Sequence, residues 1–122
     1  MPPPSELVIA TKAVERLVKE EAYYHAELAK QEERVRKLTA DIATSRPEDL
    51  DPNADYVLRQ ETRAAEETKA VFAPLKLRTQ DAVAKLEEQI AFRESSGAAA
   101  DTELEKARAI LRTGQTAIAK ED

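Results

Sequence analysis

From Leu7 to Ile42 the chain carries an apolar stripe that holds one step throughout. Leu7, Ala10, Val14, Leu17, Glu21, Tyr24, Leu28, Gln31, Val35, Leu38 and Ile42 follow one another at alternating intervals of three and four residues. This is the a and d seam of a heptad repeat, sustained for about five heptads with neither Gly nor Pro inside it. A helix of that length spans roughly 50–60 Å. A seam so narrow has to be buried against other helices. The spacing therefore predicts a rod, which presents surface rather than enclosing a pocket.

The available core residues agree. Aromatics are 4% of the chain and Trp is absent, so the interior must be Leu, Val, Ile and Ala, which suits interdigitated helices. Two glycines in the whole chain leave almost no material for β-hairpins. The expected class is all-α. Charged residues make up 35%, with a net charge of −5. The signs are interspersed: Glu15/Lys19, Glu32/Arg36, Glu33/Lys37, Asp55/Arg59 and Asp81/Lys85 stand four apart in the favourable order. No basic block tracks a phosphate backbone, so nucleic acid is not an expected partner. The absence of Cys removes disulfides, thiolate catalysis and thiolate metal sites. No signal peptide and no run of about 18 apolar residues marks the chain for secretion or a membrane, and a cytoplasmic protein is expected.

Three helices can be placed. Residues 1–4 are Pro-rich and expected to form a flexible tail, and Ser5 is a good N-cap, so helix 1 should cover about 5–44. Residues 46–53 hold two prolines among acids and read as a turn. Asp51 followed by Pro52 resembles an N-cap with Pro at the first helical position, placing helix 2 at about 52–94. Leu58, Ala65, Phe72, Thr79 and Leu86 recur along it at intervals of seven, joined by Thr62, Leu75, Ala82, Val83 and Ile90. Pro74 lies inside this helix, where it removes a hydrogen bond and crowds the preceding turn at about 3 kcal/mol unless a bend relieves it. One helix kinked at Pro74 is expected; the alternative is two helices broken near Ala73. Ser95-Ser96-Gly97 forms a C-terminal stop. Thr102 and Glu105 form a capping box opening helix 3, about 102–119, with Leu104, Ala107, Leu111, Gly114 and Ile118 on its stripe.

Short turns and these lengths predict a single domain over 1–122: an elongated, antiparallel, up-down-up three-helix bundle with coiled-coil-like packing and a shorter helix 3. Helix 3 should run out near Pro74. Beyond it the rod is two-stranded, with Leu28, Val35, Leu38 and Ile42 facing Leu58, Ala65 and Phe72. A two-helix segment cannot enclose its seam, so that end is flexible, dimeric or a docking surface.

No catalytic pattern is present. His25 is the only histidine, and a lone histidine is a poor catalyst and a poor metal site. Helix-bundle metal sites need paired Glu-x-x-His, which one histidine cannot supply. No phosphate loop, dinucleotide fingerprint, nucleophile elbow or His-Glu-x-x-His occurs. Neither enzyme activity, cofactor nor metal is expected. Glu21 and Gln31 on the seam are either edge residues of an imperfect stripe or polar positions that fix register. Tyr24 belongs to the seam and Tyr23 points outward among Lys19, Glu20 and Glu27, as an exposed residue or an interface anchor. Leu77, Val71 and Phe92 stand off the seam and could pack on helix 3 or face solvent.

The stretch Arg16-Leu-Val-Lys-Glu-Glu-Ala-Tyr-Tyr-His-Ala-Glu-Leu-Ala-Lys-Gln-Glu-Glu-Arg-Val-Arg-Lys-Leu38 closely resembles the tubulin-folding cofactor A (tubulin-specific chaperone A) family, most of all its fungal members. The Asp51-Pro52 turn, Gln60-Glu61 to Thr68-Lys69 ahead of Pro74, and Ala107-Arg108-Ala109-Ile110 with Gln115 agree with it more loosely. The resemblance implies a small three-helix bundle without enzyme activity. It would bind β-tubulin monomers or late folding intermediates after chaperonin release, before handover toward αβ-heterodimer assembly. Other tubulin-folding cofactors, a cytoskeleton-associated location, and a monomer or weak homodimer are further expectations. No catalytic or cofactor residue transfers. Exposure on helix 1 selects Lys19, Glu20, Tyr23, Glu27, Lys30, Glu33, Arg34 and Lys37 as the candidate partner-binding set. The competing reading is a structural coiled-coil adaptor or homodimeric module with a non-tubulin partner, which heptads alone do not distinguish.

Overall fold

The computed structural model describes residues 3–97 and 102–120 of the chain. In order these form α1 (Glu6–Thr44), a 3-10 turn (Pro47–Asp49), α2 (Ala54–Lys69), α3 (Phe72–Ser95) and α4 (Thr102–Ala119), with no strand among the described residues. Helix 1 is thus the 39-residue α1, and helix 3 is the 18-residue α4. Ser5 caps α1: the Val8 N–H donates to Ser5 Oγ at 3.2 Å, satisfying a donor that the first turn leaves open.

Two boundaries differ from expectation. Helix 2 begins not at Asp51-Pro52 but at Ala54, because the Asp51 carboxylate accepts the Asn53 N–H at 2.8 Å and its carbonyl accepts the Ala54 N–H at 2.9 Å. Those bonds close a turn before the helix, a common alternative use of a short acidic side chain. The second correction is larger. A single bent helix at 52–94 is replaced by α2 and α3, with Ala70 and Val71 in turn conformation between them. Pro74 has no N–H for the carbonyl of Ala70, four residues earlier, and its ring crowds that carbonyl. The chain tightens there, the Val71 N–H reaching only three residues back to the Thr68 carbonyl at 3.0 Å. Pro74 then sits in the first turn of α3, where a missing N–H is tolerated. At the far end α3 stops as expected. Gly97 takes φ 82°, open to glycine at little cost, and its N–H bonds the Glu94 carbonyl at 3.2 Å.

The chain packs as two compact units, Met1–Glu21 with Ala73–Asp122, and Ala22–Phe72. In the first, Leu7, Ala10 and Val14 of α1 meet Ala82, Val83, Leu86 and Ile90 of α3 and Leu104 and Ala107 of α4 in one core. Side chains buried as fully as Val14, Leu86 and Leu104 stabilise by about 1.5–3 kcal/mol each. Arg93 near the end of α3 reaches Ser5 at 3.4 Å and Glu103 at 3.2 Å, whereas Lys76 near its start donates to the Lys120 carbonyl at 2.9 Å. α3 therefore runs antiparallel to α4 and to the start of α1, and α4 ends beside the turn that holds Pro74. Buried Thr11 and Thr79 are satisfied on their own helices, donating to the Leu7 and Leu75 carbonyls.

In the second unit α1 pairs with α2. Arg34 with Glu61 and Glu32 with Lys69 mark an antiparallel pair, and His25 stacks on Phe72 with ring centroids 4.3 Å apart. Leu28, Val35, Leu38 and Ile42 are only half-buried here, whereas Leu7, Ala10 and Val14 are buried. The incomplete cover expected where two helices face each other is what the unit displays.

Candidate partner-binding surface

All eight candidate residues lie on α1. Lys19 is exposed and Glu20 half-buried, both in the first unit. The other six belong to the second. There Tyr23, Glu27, Lys30, Arg34 and Lys37 recur at spacings of four, three, four and three, which places them on one stripe of the helix. Tyr23 is 63% exposed and its ring stands edge-on to Tyr24, centroids 5.3 Å apart at 76°. An edge-on contact of this kind is a favoured arrangement for an aromatic pair. Tyr24 is half-buried, in keeping with its seam position.

The charged members divide. Lys30 and Lys37 are exposed and Glu27 half-buried. Arg34 is committed within the fold: its Nε donates to Glu61 Oε2 of α2 at 3.0 Å. Glu33 is bonded by the Arg36 guanidinium, whose hydrogen bond and positive charge hold its carboxyl below the ordinary range. Arg34 and Glu33 are thus already paired within the protein, whereas Tyr23, Lys30 and Lys37 are exposed. The i,i+4 spacing pointed to Glu33 with Lys37 and Glu32 with Arg36. The structure gives Glu33 to Arg36, and it gives Glu32 to Lys69 across the helix pair at 3.7 Å.

Two polar seam residues resolve differently. Glu21 is half-buried, whereas Gln31 is buried and its Oε1 has no hydrogen-bond partner. Among the residues left open by sequence, Val71 is half-buried, while Leu77 and Phe92 are exposed apolar side chains on α3. Ile9, Tyr56 and Val57 are likewise exposed and were not singled out by the seam, which identifies inward positions only.

The arrangement is one of surfaces. A groove of about 560 Å³ in the first unit has Ile9, Ala10 and Ala82 among its lining, with Arg78, Asp81 and Lys85 beside them. Its signs are mixed. Among the described residues no group of three His, Cys, Asp or Glu side chains gathers to hold a metal, and no helix is long and apolar enough to cross a membrane.

A family model described as tubulin binding cofactor A matches residues 2–111. No curated protein and no solved structure matches the chain.

Proposed function

The chain belongs to the tubulin binding cofactor A family, and from that premise we propose that it binds β-tubulin monomers or late folding intermediates after chaperonin release and holds them for handover toward αβ-heterodimer assembly. Its family is one of tubulin-folding cofactors, not of enzymes. The observation that carries the finer reading is the match over nearly the whole chain, joined to an outward stripe on α1 that combines one exposed Tyr with one acid, Glu27, and three bases, Lys30, Arg34 and Lys37. A holding role needs area and reversibility rather than a reaction. A client that would otherwise aggregate through exposed surface is protected while that surface is occupied, and it is released when a better partner competes.

Contacts are assigned to Lys19, Glu20, Tyr23, Glu27, Lys30, Glu33, Arg34 and Lys37. Tyr23 is the anchor, because an exposed aromatic ring adds large apolar area at small entropic cost. Lys30 and Lys37 supply charge that steers approach. A cytoplasmic location follows from this role, and the protein acts as a monomer or weak homodimer.

Purified protein incubated separately with β-tubulin and α-tubulin and run on native gels tests the reading. A complex with β-tubulin and none with α-tubulin is expected. No complex with β-tubulin, under conditions where an established member of the family forms one, overturns it and leaves the structural adaptor. Tyr23→Ala combined with Glu27→Lys should weaken capture about tenfold while circular dichroism stays unchanged. Equal loss of helicity would mean that these side chains hold the fold instead.

A further inference from the structure

The second unit contains a hollow of about 340 Å³ where α1 turns into α2, lined by Leu38, Ile42, Leu50 and Val57 together with Asp41, Asp49 and Asp51. That volume lies at the small end of the roughly 300–1,000 Å³ usual for ligand sites, a scale suited to one or two side chains. Leu38, Ile42 and Leu50 are only half-buried and Val57 is exposed, so the apolar floor is open to solvent.

Its electrostatics are one-sided. Between positions 41 and 55 stand Asp41, Glu48, Asp49, Asp51 and Asp55 against a single base, Arg46. Arg46 is itself drawn to Glu48 at 4.0 Å and Asp49 at 3.8 Å. α1 ends here with the partial negative charge of its last carbonyls, has no basic residue in its last turn, and carries Asp41 there. Helix C-termini ordinarily favour cations, and this one faces more acid. A metal ion does not answer the arrangement, since no group of three ligands gathers among the described residues. A second copy presenting the same acidic turn would be repelled.

We propose that this hollow receives a basic protein segment in which one Leu- or Phe-type side chain is flanked by Arg or Lys. The apolar side chain enters between Ile42 and Leu50, and the flanking cations pair with Asp41 and Asp49 and with the carbonyl end of α1. The occupant is defined by charge and shape alone, so this surface stands or falls independently of tubulin.

The test titrates the full chain, with methyl groups labelled for NMR, with a short synthetic peptide carrying one leucine between arginines. Shifts confined to Leu38, Ile42, Leu50 and Val57 are expected, with affinity falling steeply as salt is raised. Peptides with leucine replaced by serine, or arginine by glutamate, should each bind at least about tenfold more weakly. Asp41→Asn with Asp49→Asn should weaken binding about fivefold to tenfold and flatten the salt dependence. Asp51 is left intact because it holds the Asn53 N–H. Shifts centred elsewhere, equal binding of the glutamate peptide, or unchanged affinity in the folded double variant would each overturn the proposal. So would the same shifts arising on concentrating the chain alone, which would assign the hollow to a second copy. Should the double variant not fold, the peptide series and the salt titration of the unaltered chain still decide.

Discussion

Gly114 sits in the interior of α4, where glycine is a poor choice by propensity: alanine should favour the helix by about 0.8–1 kcal/mol. The packing reverses that expectation. A Cβ added at Gly114 would lie 2.8 Å from Val14 Cγ1 and 2.9 Å from Val83 Cγ2. Carbon atoms rest at about 3.5–4.0 Å, so the overlap is more than half an ångström on two sides. Neither neighbour yields easily. Val14 is 0% and Val83 2% exposed, and a β-branched residue in a helix is held to one χ1 rotamer. Overpacking of this kind costs about 1–3 kcal/mol. Set against the propensity gain, Gly114→Ala should destabilise by about 1 kcal/mol, the difference of those two terms. Urea denaturation followed by circular dichroism measures it. In a Val14→Ala background the same substitution should become less unfavourable, since one of the two clashes is gone, and the cycle isolates the contact. A stabilisation of about 1 kcal/mol for Gly114→Ala alone, the propensity value undiminished, would refute the close approach of α4 to α1 and α3.

Gln31→Leu should stabilise the protein by about 1 kcal/mol, because a buried Oε1 without a partner carries a desolvation cost that leucine does not; a measured loss would mean that the amide fixes register instead. Glu33 should titrate below the ordinary carboxylate range in an NMR pH series, and Arg36→Ala should return it to that range. Because that carboxyl is depressed, its favourable interaction is complete above the usual carboxylate range and is lost as pH falls through its own lower midpoint. A Glu33 midpoint unmoved by Arg36→Ala would remove the pair from the description. Amide hydrogen exchange should be faster in α2 than in the middle of α3, since the first unit's core draws on three helices while α2 buries only Ala54, Ala65 and Thr68. Uniform protection across both would contradict the difference in cover.

Much of this was legible in the chain because long helices obey one period. The stripe from Leu7 to Ile42 falls inside α1, one residue after its start and two before its end, and the shortness of the last helix foretold which part of that stripe is well covered. What escaped were events decided by a single hydrogen bond. Asp51 as an N-cap and Asp51 as the acceptor of a turn have the same sequence, and only the bond to Asn53 separates them. Pro74 announced a disturbance, but its effect falls on the acceptor four residues earlier, so the interruption lies at Ala70 and Val71. Gly114 read simply as a stripe position; its reason is the convergence of Val14 and Val83 from two other helices. The candidate surface divided the same way. Heptad position showed that Tyr23 faces out, but not that Arg34 is tied to Glu61, because cross-helix register is absent from either helix read alone.

That division bears on how a client would be held. Side chains already paired across α1 and α2 reinforce the helix pair, and a partner that takes them must replace what it removes. On the proposed reading Arg34, tied to Glu61 of α2, and Glu33, tied to Arg36 on α1 itself, would adjust orientation at little net gain, whereas Tyr23, Lys30 and Lys37 would make contacts that the free protein lacks. Exposed ion pairs contribute little, with a median of about 0–1 kcal/mol, so affinity concentrated on one tyrosine and dispersed charge would be moderate and sensitive to salt. Moderate affinity suits a holding protein. A client bound tightly through a large apolar face could not be passed on, while one held by a single anchor and screened charges leaves when a more complete interface is offered. By the same reasoning, replacing the paired residues should leave capture nearly unchanged, and replacing Tyr23 should not.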